Sequence, residues 1–306
     1  MGAGVMGGNH ARVISASGTA QLQGLFDQDI HRAGDVAARF DTTAFRSVDE
    51  ALESCDAVVI ATPTSSHVEI LRAALEAGKH VLVEKPVCNQ AEDLREVTPL
   101  VGNQVIMIGH VERFNPAIRY AKSLDLSGIR AISARREGPY SPRIIEGVTR
   151  DLMIHDIDLC SYISQEQLSV KGSSRIAARS QSEDISSAVI EGQSGLVASL
   201  YASRIGQSKV RDLRITTDEC VIHLDLLQRT VQIYKQSTAT FVDSSLPTYS
   251  ESLTIQTPIL GGFAEPLAAE LDCFVESIRL GKLLPEAASL ADGLSALDIA
   301  NEIALT

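Results

Sequence analysis

Short apolar runs alternate with helical stretches along the first third of this chain, and this alternation constrains the fold more than any other sequence feature. The candidate strands and helices lie at 9–15, 20–26, 30–40, 57–61, 66–77, 80–83, 91–100 and 105–109. Strands that alternate with helices are typical of parallel sheets joined by right-handed crossovers. We therefore predict a doubly wound α/β domain over residues 1–116.

The pattern changes in the rest of the chain. One helical stretch at 147–163 is followed by runs in which apolar and polar residues alternate, as in antiparallel strands. These runs lie at 168–180, 185–191, 196–205, 210–216, 220–226 and 230–235. Two helices are expected at 265–280 and 291–304. We predict a second, α+β domain over residues 117–306, built on an open and mainly antiparallel sheet.

Composition argues against several functional classes. The 306 residues include 27 basic and 39 acidic side chains, and the formal charge of -12 repels nucleic-acid phosphates and anionic lipid. The apolar runs stay well below the roughly 20 residues that a bilayer span requires. The five cysteines contain no CxxC pair, so neither a disulfide framework nor a zinc knuckle is indicated. Since no signal-like segment opens the sequence, we expect a cytoplasmic protein that binds neither nucleic acid nor membrane.

A GxGxxG pattern stands at the start of the chain. Such glycines let the backbone turn tightly and approach a pyrophosphate at a helix N-terminus. Asp27 follows about 20 residues further on, at a strand end where a carboxylate can bind ribose hydroxyls. A carboxylate there disfavours a 2'-phosphate, and no Arg follows within four residues, so we predict NAD over NADP. The predicted cofactor-binding residues of this region are Gly2, Gly4, Val5, Met6, Gly7 and Asp27.

A strand should precede such a glycine motif, but only Met1 does. Either the sequence begins inside the true reading frame, or the sheet has a slot whose neighbouring strands carry unpaired backbone groups. We favour a truncated start over a new fold. The alternative interpretation of the motif itself is an ordinary glycine loop, with Asp27 as a turn residue at a strand end.

Two further segments identify a family. Residues 56–67 read DAVVIATPTSSH, a buried strand, a Pro-containing loop and a helix cap, and residues 76–86 read EAGKHVLVEKP. In this order, after a GxGxxG and an acidic strand end, they resemble the cofactor domain of the Gfo/Idh/MocA oxidoreductases, a Rossmann-type domain. The resemblance implies that cofactor-binding residues also include Thr62, Pro63, His67, Glu84 and Lys85.

The resemblance assigns Lys85 of the EKP turn to catalysis, beside the nicotinamide and the reacting hydroxyl. A fixed ammonium can hold the substrate oxygen and stabilise the alkoxide that develops as hydride leaves the same carbon. Pro86 would fix the turn, where a cis peptide bond is tolerated because proline follows. Taken without its context, Lys85 would instead be interpreted as a solvated surface lysine.

Asp151 and His155 form the second catalytic anchor. They are four residues apart within a helical segment, so they share one helix face. The carboxylate can orient the imidazole, which can take the proton of the hydroxyl near neutral pH. This pair resembles the DxxxH pair of the same family. His155 alone would be interpreted as a core histidine, and we interpret Asp156 and Asp158 as structural.

Candidate substrate-binding residues lie in two loops. Residues 109–116, GHVERFNP, resemble the segment that leaves the last strand of the family's cofactor domain, so Arg113 and Asn115 are candidates. Their alternative roles are an interdomain salt bridge and a turn before Pro116. Residues 135–143 carry three arginines and a tyrosine, and arginine forks suit phosphate. Solvated arginines at a strand end are the alternative. The candidates in this loop are Tyr140 and Arg143.

The sequences at 109–116 (GHVERFNP) and 152–159 (LMIHDIDL) resemble those of family members that act on UDP-N-acetylhexosamines. The resemblance therefore implies an NAD-dependent oxidoreductase that acts on a ring hydroxyl of a sugar or nucleotide sugar, with no metal. A dehydrogenase of inositol or a free aldose and a non-catalytic NAD-binding regulator remain as alternatives. The open sheet resembles the family's oligomer interface, so a homodimer or homotetramer is expected.

Overall fold

The computed structural model describes residues 1–141, 146–243, 246–261 and 265–305, without the side chains of 238–243 and 246–250. The chain forms two compact units, Met1–Phe114 with Ala264–Asp298 and Asn115–Phe263 with Ile299–Thr306. None of the helices described combines the length and the apolarity needed to cross a bilayer.

The described helices and strands occur in mixed order along the chain. The α-helices are α1 (Val5–Ser15), α2 (Ile30–Arg39), α3 (Val48–Glu53), α4 (His67–Glu76), α5 (Ala91–Val97), α6 (Pro116–Lys122), α7 (Ile154–Ser164), α8 (Pro266–Leu280) and α9 (Leu290–Leu305). The strands are β1 (Gly24–Leu25), β2 (Thr43–Ala44), β3 (Ala57–Ile60), β4 (His80–Glu84), β5 (Ile106–Gly109), β6 (Ile129–Glu137), β7 (Leu168–Ile176), β8 (Ile185–Gly192), β9 (Val197–Ser203), β10 (Val210–Thr217), β11 (Val221–Asp225), β12 (Thr230–Asp243) and β13 (Leu246–Gln256).

The parallel strands of the first unit fall into two groups. Strands β1 and β2 pair with each other, and β3, β4 and β5 form a three-stranded sheet in that order. Met1 lies between the groups, since its nitrogen donates to the carbonyl oxygen of Val59 at 2.8 Å and its own carbonyl accepts from the amide of Ala61 at 2.9 Å. Gly2 reaches the other group, because its amide donates to the carbonyl oxygen of Phe26 at 2.7 Å.

The gap between β1 and β3 contains a cavity of about 100 Å³, lined in part by residues 21–26 and 57–59. In the part of the chain that the structure describes, no strand precedes α1, as the sequence predicts. The gap also explains a difference from the prediction. The strand predicted at 20–26 is limited to the two residues of β1, because its ladder forms only with β2.

Helix α8 packs with the first unit, although the sequence pattern assigns residues 117–306 to the second domain. Its buried apolar face explains the placement. Leu267 and Leu271 pack with Val13 of α1, and Phe274 packs with Leu82 of β4. The chain therefore returns to its first unit after the antiparallel strands, a long-range connection that local periodicity cannot indicate.

The second unit contains an eight-stranded sheet with the order β13-β12-β11-β10-β6-β9-β8-β7. All neighbours are antiparallel except β6 and β9, which are parallel. Burial alternates along β8, where Ala188 and Ile190 are buried and Ser187 and Val189 are exposed. The predicted fold class, a parallel sheet followed by an open and mainly antiparallel one, is confirmed.

A buried ion pair joins α7 to this sheet. The guanidinium of Arg136, on β6, donates to the carboxylate of Asp156, on α7, with a closest distance of 2.7 Å. Arg136 is 1% exposed and Asp156 is 3% exposed. Asp156 follows His155 directly, so this pair sets the position of the helix that carries the DxxxH motif. The structural role predicted for Asp156 agrees with this contact.

The buried pair can be compared with an exposed pair on the same strand, in which Arg130 donates two hydrogen bonds to Asp218 at 2.8 and 2.7 Å. Asp156→Asn should lower the free energy of unfolding by about 3–5 kcal/mol, because it leaves the Arg136 charge buried without compensation. Asp218→Asn should have a much smaller effect, because solvent screens the exposed charges. Urea unfolding of both variants provides the measurement, and equal losses would contradict the structural role of the buried pair.

Candidate cofactor and catalytic sites

The three glycines of the GxGxxG motif differ in the space available for a side chain. Gly2 has a φ of +89°, and a Cβ atom there would lie 2.5 Å from the carbonyl oxygen of Ala61. A Cβ atom on Gly7 would lie 1.9 Å from the carbonyl oxygen of Gly2. Among the residues that the structure describes, none apart from the chain neighbours of Gly4 comes within 4 Å of such a Cβ there. Gly2 and Gly7 therefore permit close backbone packing, whereas Gly4 leaves open space.

This arrangement fits a dinucleotide. The first glycine of such a motif makes the tight turn, the second lets the pyrophosphate approach the backbone, and the third packs the helix against the sheet. Gly4 is also the N-cap of α1, so no side chain competes for the first N–H groups of the helix. Val5 and Met6 follow in the exposed first turn. The residues present can thus hold a pyrophosphate by backbone amides.

Asp27 connects the glycine loop to the end of β1. Its Oδ2 atom accepts a hydrogen bond from the amide of Ala3 at 2.7 Å, and its Oδ1 atom accepts one from the amide of Asp29 at 2.9 Å. Arg32, on α2, places a guanidinium nitrogen 3.8 Å from Oδ1. Arg32 lies just beyond the four residues after Asp27, so the local sequence pattern does not indicate it.

His67 is buried behind the loop that follows β3. Its Nδ1 atom lies 3.0 Å from the carbonyl oxygen of Pro86, and its Nε2 atom lies 2.8 Å from that of Thr62. Burial lowers the pKa of the imidazole. His67 thereby links the loop containing Thr62 and Pro63 to the turn at Pro86. Its ring nitrogens face these carbonyls, so we interpret its contribution to cofactor binding as indirect.

The EKP turn follows β4 directly. The Lys85–Pro86 peptide bond is cis, as the sequence allows, and Lys85 is half-buried. The Oε1 atom of Glu84 lies 2.7 Å from Nε2 of His10, and both side chains are buried. His10 lies on α1, three positions after Gly7, so this contact joins the helix of the glycine loop to the turn that carries Lys85. Sequence spacing alone gives no signal for it.

Arg113 and Asn115 are buried and make structural contacts. A guanidinium nitrogen of Arg113 donates to the carbonyl oxygen of Ala287 at 3.3 Å and lies 3.7 Å from the carboxylate of Asp292, within the first unit. In the second unit, Asn115 accepts a hydrogen bond from the amide of Ala117 and so caps α6. Asn115 thus has the local role before Pro116 that the sequence offered as its alternative, whereas the ion pair of Arg113 lies within the first unit and is not the interdomain salt bridge offered for it.

Asp151 and His155 lie on successive turns at the start of one helix in the second unit. Residues Thr149–Met153 form a π-helical turn that continues into α7. Such turns are rare and occur frequently at functional sites. Glu183 holds the beginning of this segment, because its carbonyl accepts from the amide of Val148 at 3.0 Å. Asp151 and His155 are both half-buried.

The arginines before this helix are engaged with carboxylates. Arg135 pairs with Glu137, and Arg136 makes the buried pair with Asp156 described above. The guanidinium carbon of Arg179 lies 5.9 Å from the centre of the Tyr140 ring. Arg143 lies outside the described residues. The predicted phosphate contacts of this loop therefore have no support from Arg135 or Arg136.

Comparison with known proteins identifies the family. Residues 1–109 match the oxidoreductase family with an NAD-binding Rossmann fold (GFO_IDH_MocA), and residues 108–223 match its C-terminal domain. This chain belongs to the Gfo/Idh/MocA oxidoreductases. The resemblance found in the sequence is confirmed, and residues 1–109, within the first unit, are the family's NAD-binding domain.

Two individual relatives refine the comparison. The UDP-N-acetylglucosamine 3-dehydrogenase of Acidithiobacillus ferrooxidans is 36% identical over 247 residues, which are 78% of this chain and 77% of that protein. Its solved structure has a TM-score of 0.87 at 30% identity and covers 99% of this chain and 95% of that chain. The inositol 2-dehydrogenase of Rhodococcus erythropolis is 28% identical over 64% of this chain and 61% of its own length.

Asp27 can be tested as the ribose-binding residue. Asp27→Asn should raise the NAD dissociation constant roughly 10- to 100-fold, because a hydrogen bond to a charged acceptor contributes about 1.5–3 kcal/mol. Asp29→Asn is the matched control, since asparagine also caps a helix well and Asp29 caps α2. Isothermal titration calorimetry measures both. Equal NAD affinity in wild-type protein and Asp27→Asn would remove Asp27 from the binding site.

Proposed function

We propose that this protein is an NAD-dependent dehydrogenase of a nucleotide sugar, with UDP-N-acetylglucosamine as the first candidate and the 3-hydroxyl as the position oxidised. The observation that carries the proposal is the similarity to the Acidithiobacillus ferrooxidans enzyme over 78% of the chain, together with the complete set of Lys85, Asp151 and His155. Inositol is the second candidate, supported by the more distant inositol 2-dehydrogenase.

Lys85 is proposed to bind the oxygen of the reacting hydroxyl. Lys85 is half-buried after β4, and the contacts of its neighbours, Pro86 with His67 and Glu84 with His10, restrict where the ammonium can lie. A positive charge held in place stabilises the developing alkoxide without a cost of reorganisation. Bound NAD supplies the hydride acceptor.

His155 is proposed to remove the hydroxyl proton, and Asp151 to orient the imidazole and stabilise its cationic form. The π-helical turn, which contains Asp151, and the buried pair at Asp156 fix the helical segment that carries both residues. Glycine loop, lysine turn and DxxxH pair together argue against a non-catalytic NAD-binding regulator, which has no need of a proton acceptor.

A homo-oligomer is proposed on the open face of the eight-stranded sheet. Val189 on β8 and Val197 on β9 are 41% and 42% exposed there. Exposed apolar side chains on a sheet face are commonly covered by a second copy in symmetric oligomers. Sedimentation equilibrium should give a dimer or tetramer, and a monomer at micromolar concentration would overturn this part of the proposal.

The catalytic assignment is tested by Lys85→Ala with Lys79→Ala as control, since Lys79 lies at the other end of the same strand region. NADH formation from UDP-N-acetylglucosamine should fall about 10²–10³-fold in Lys85→Ala, as for loss of one group that stabilises a developing oxyanion. NAD affinity and the Lys79→Ala variant should change little. Unchanged turnover in Lys85→Ala would remove this residue from the mechanism.

The same assay should include myo-inositol, free aldoses and NADP. Faster reduction of NAD with myo-inositol than with UDP-N-acetylglucosamine would replace the first substrate candidate by the second. Binding of NAD with turnover of none of these substrates would favour the regulator.

A further inference from the structure

A buried carboxyl group in the first unit has no role in the functions described so far. Glu270, on α8, is 0% exposed, and neither of its oxygens has a hydrogen-bond partner among the residues that the structure describes. A buried carboxylate without a partner is strongly disfavoured, whereas the neutral acid is tolerated. The position therefore requires Glu270 to keep its proton.

Glu270 lies within the electrostatic reach of Glu84, which directly precedes Lys85. Burial, and after it the negative charge of Glu84, raise the pKa of Glu270 well above its ordinary value of 4.5. Glu84 itself has a partner, His10, at 2.7 Å. Glu84 and Glu270 are therefore two buried carboxyl groups, of which Glu84 has His10 as a partner. Such a pair is most stable with a single negative charge, because two like charges close together disfavour each other.

Glu84 has little freedom to move away from this neighbour. It pairs in register with Gly109 on β5, and a Cβ atom on Gly109 would lie 3.3 Å from its Oε2 atom. A second negative charge beside Glu84 must therefore be relieved by displacement of the strand end or by entry of water. Either change affects the turn that follows, at Lys85 and Pro86.

The other titratable groups around α8 are accounted for. Helix α1 contributes His10 and Arg12, the end of β4 contributes Glu84, and the turn at Val111–Phe114 contributes Glu112 and Arg113. Arg12 donates two hydrogen bonds to the carboxylate of Glu265, at 3.0 and 2.6 Å. The guanidinium of Arg113 is directed to Ala287 and Asp292. Of these groups, the charge of Glu84 is the one that acts on the pKa of Glu270.

We propose that Glu270 is a positioning residue which, as a neutral acid, keeps the Glu84–Lys85–Pro86 turn in place, and that loss of its proton as pH rises displaces the turn. The effect on catalysis rests on the proposed function. The effect on folding and NAD binding does not.

The direction of the pH dependence follows from the numbers of protons that the folded and the unfolded protein bind. Between pH 4.5 and the higher pKa of the native state, the folded protein holds a proton on Glu270 that the unfolded chain has released. The contribution to stability is complete below pH 4.5 and is lost as pH rises through the native-state pKa. Within this window, the folding equilibrium constant should fall up to about tenfold per pH unit from this group alone.

Glu270→Gln is the decisive variant, because glutamine has the shape of the neutral acid and cannot lose a proton. Urea unfolding between pH 5 and 9 should show wild-type protein losing stability relative to Glu270→Gln as pH rises. The alkaline decline of NAD affinity and of kcat/KM should move upward by about one pH unit or more in the variant, since the titrating group is gone. Glu276→Gln, an exposed position on the same helix, should follow the wild type.

Parallel pH profiles for wild-type protein and Glu270→Gln would overturn the proposal. A measurement on wild-type protein covers the case in which the variant fails to fold. Infrared difference spectroscopy in D₂O should show the C=O stretch of a protonated carboxyl at pH 7, and absence of such a band would also overturn it. If the protein oxidises none of the substrates tested but the stability profiles differ as expected, the proposed function fails and this role of Glu270 stands.

Discussion

The first unit depends on a close approach of backbone to backbone at Gly2 and Gly7. A side chain at either position would overlap a carbonyl oxygen, at 2.5 Å from Ala61 and at 1.9 Å from Gly2 respectively. This contact brings the start of α1 against the ends of the parallel strands, where the amides of the first helical turn can bind a pyrophosphate. Asp27 stabilises the same loop, because its carboxylate accepts a hydrogen bond from the amide of Ala3.

Buried polar contacts then place the chemical groups relative to this loop. His10 of α1 contacts Glu84, and His67 links the carbonyls of Thr62 and Pro86, so the turn of Lys85 is joined to the cofactor loops from two sides. In the second unit the buried ion pair of Arg136 and Asp156 positions the helical segment that carries the DxxxH motif. Each unit thus holds its part of the proposed catalytic set by contacts that are individually costly to break.

Much of this could be predicted from the sequence, because short motifs and periodicity are local. The Rossmann-type unit, the antiparallel sheet and the family all follow from adjacent residues, and the proline after Lys85 allows the cis bond that the structure contains. The packing of α8, the pair formed by His10 and Glu84, and the isolation of Glu270 could not be predicted, since each joins residues far apart in the chain. The contacts of Arg113 with Ala287 and of Asn115 with Ala117 likewise depend on the folded structure and could not be read from residue type alone.

The central claim is that hydride passes from a ring carbon of a nucleotide sugar to NAD. UDP-N-acetylglucosamine carrying deuterium at carbon 3 tests it most directly, with mass spectrometry of the cofactor after incubation. We expect reduced cofactor that has gained the deuterium, formed more slowly than NADH from the unlabelled sugar when hydride transfer limits the rate. Reduced cofactor without deuterium would contradict oxidation at carbon 3, and no reduction of NAD by either sugar would contradict the claim as a whole.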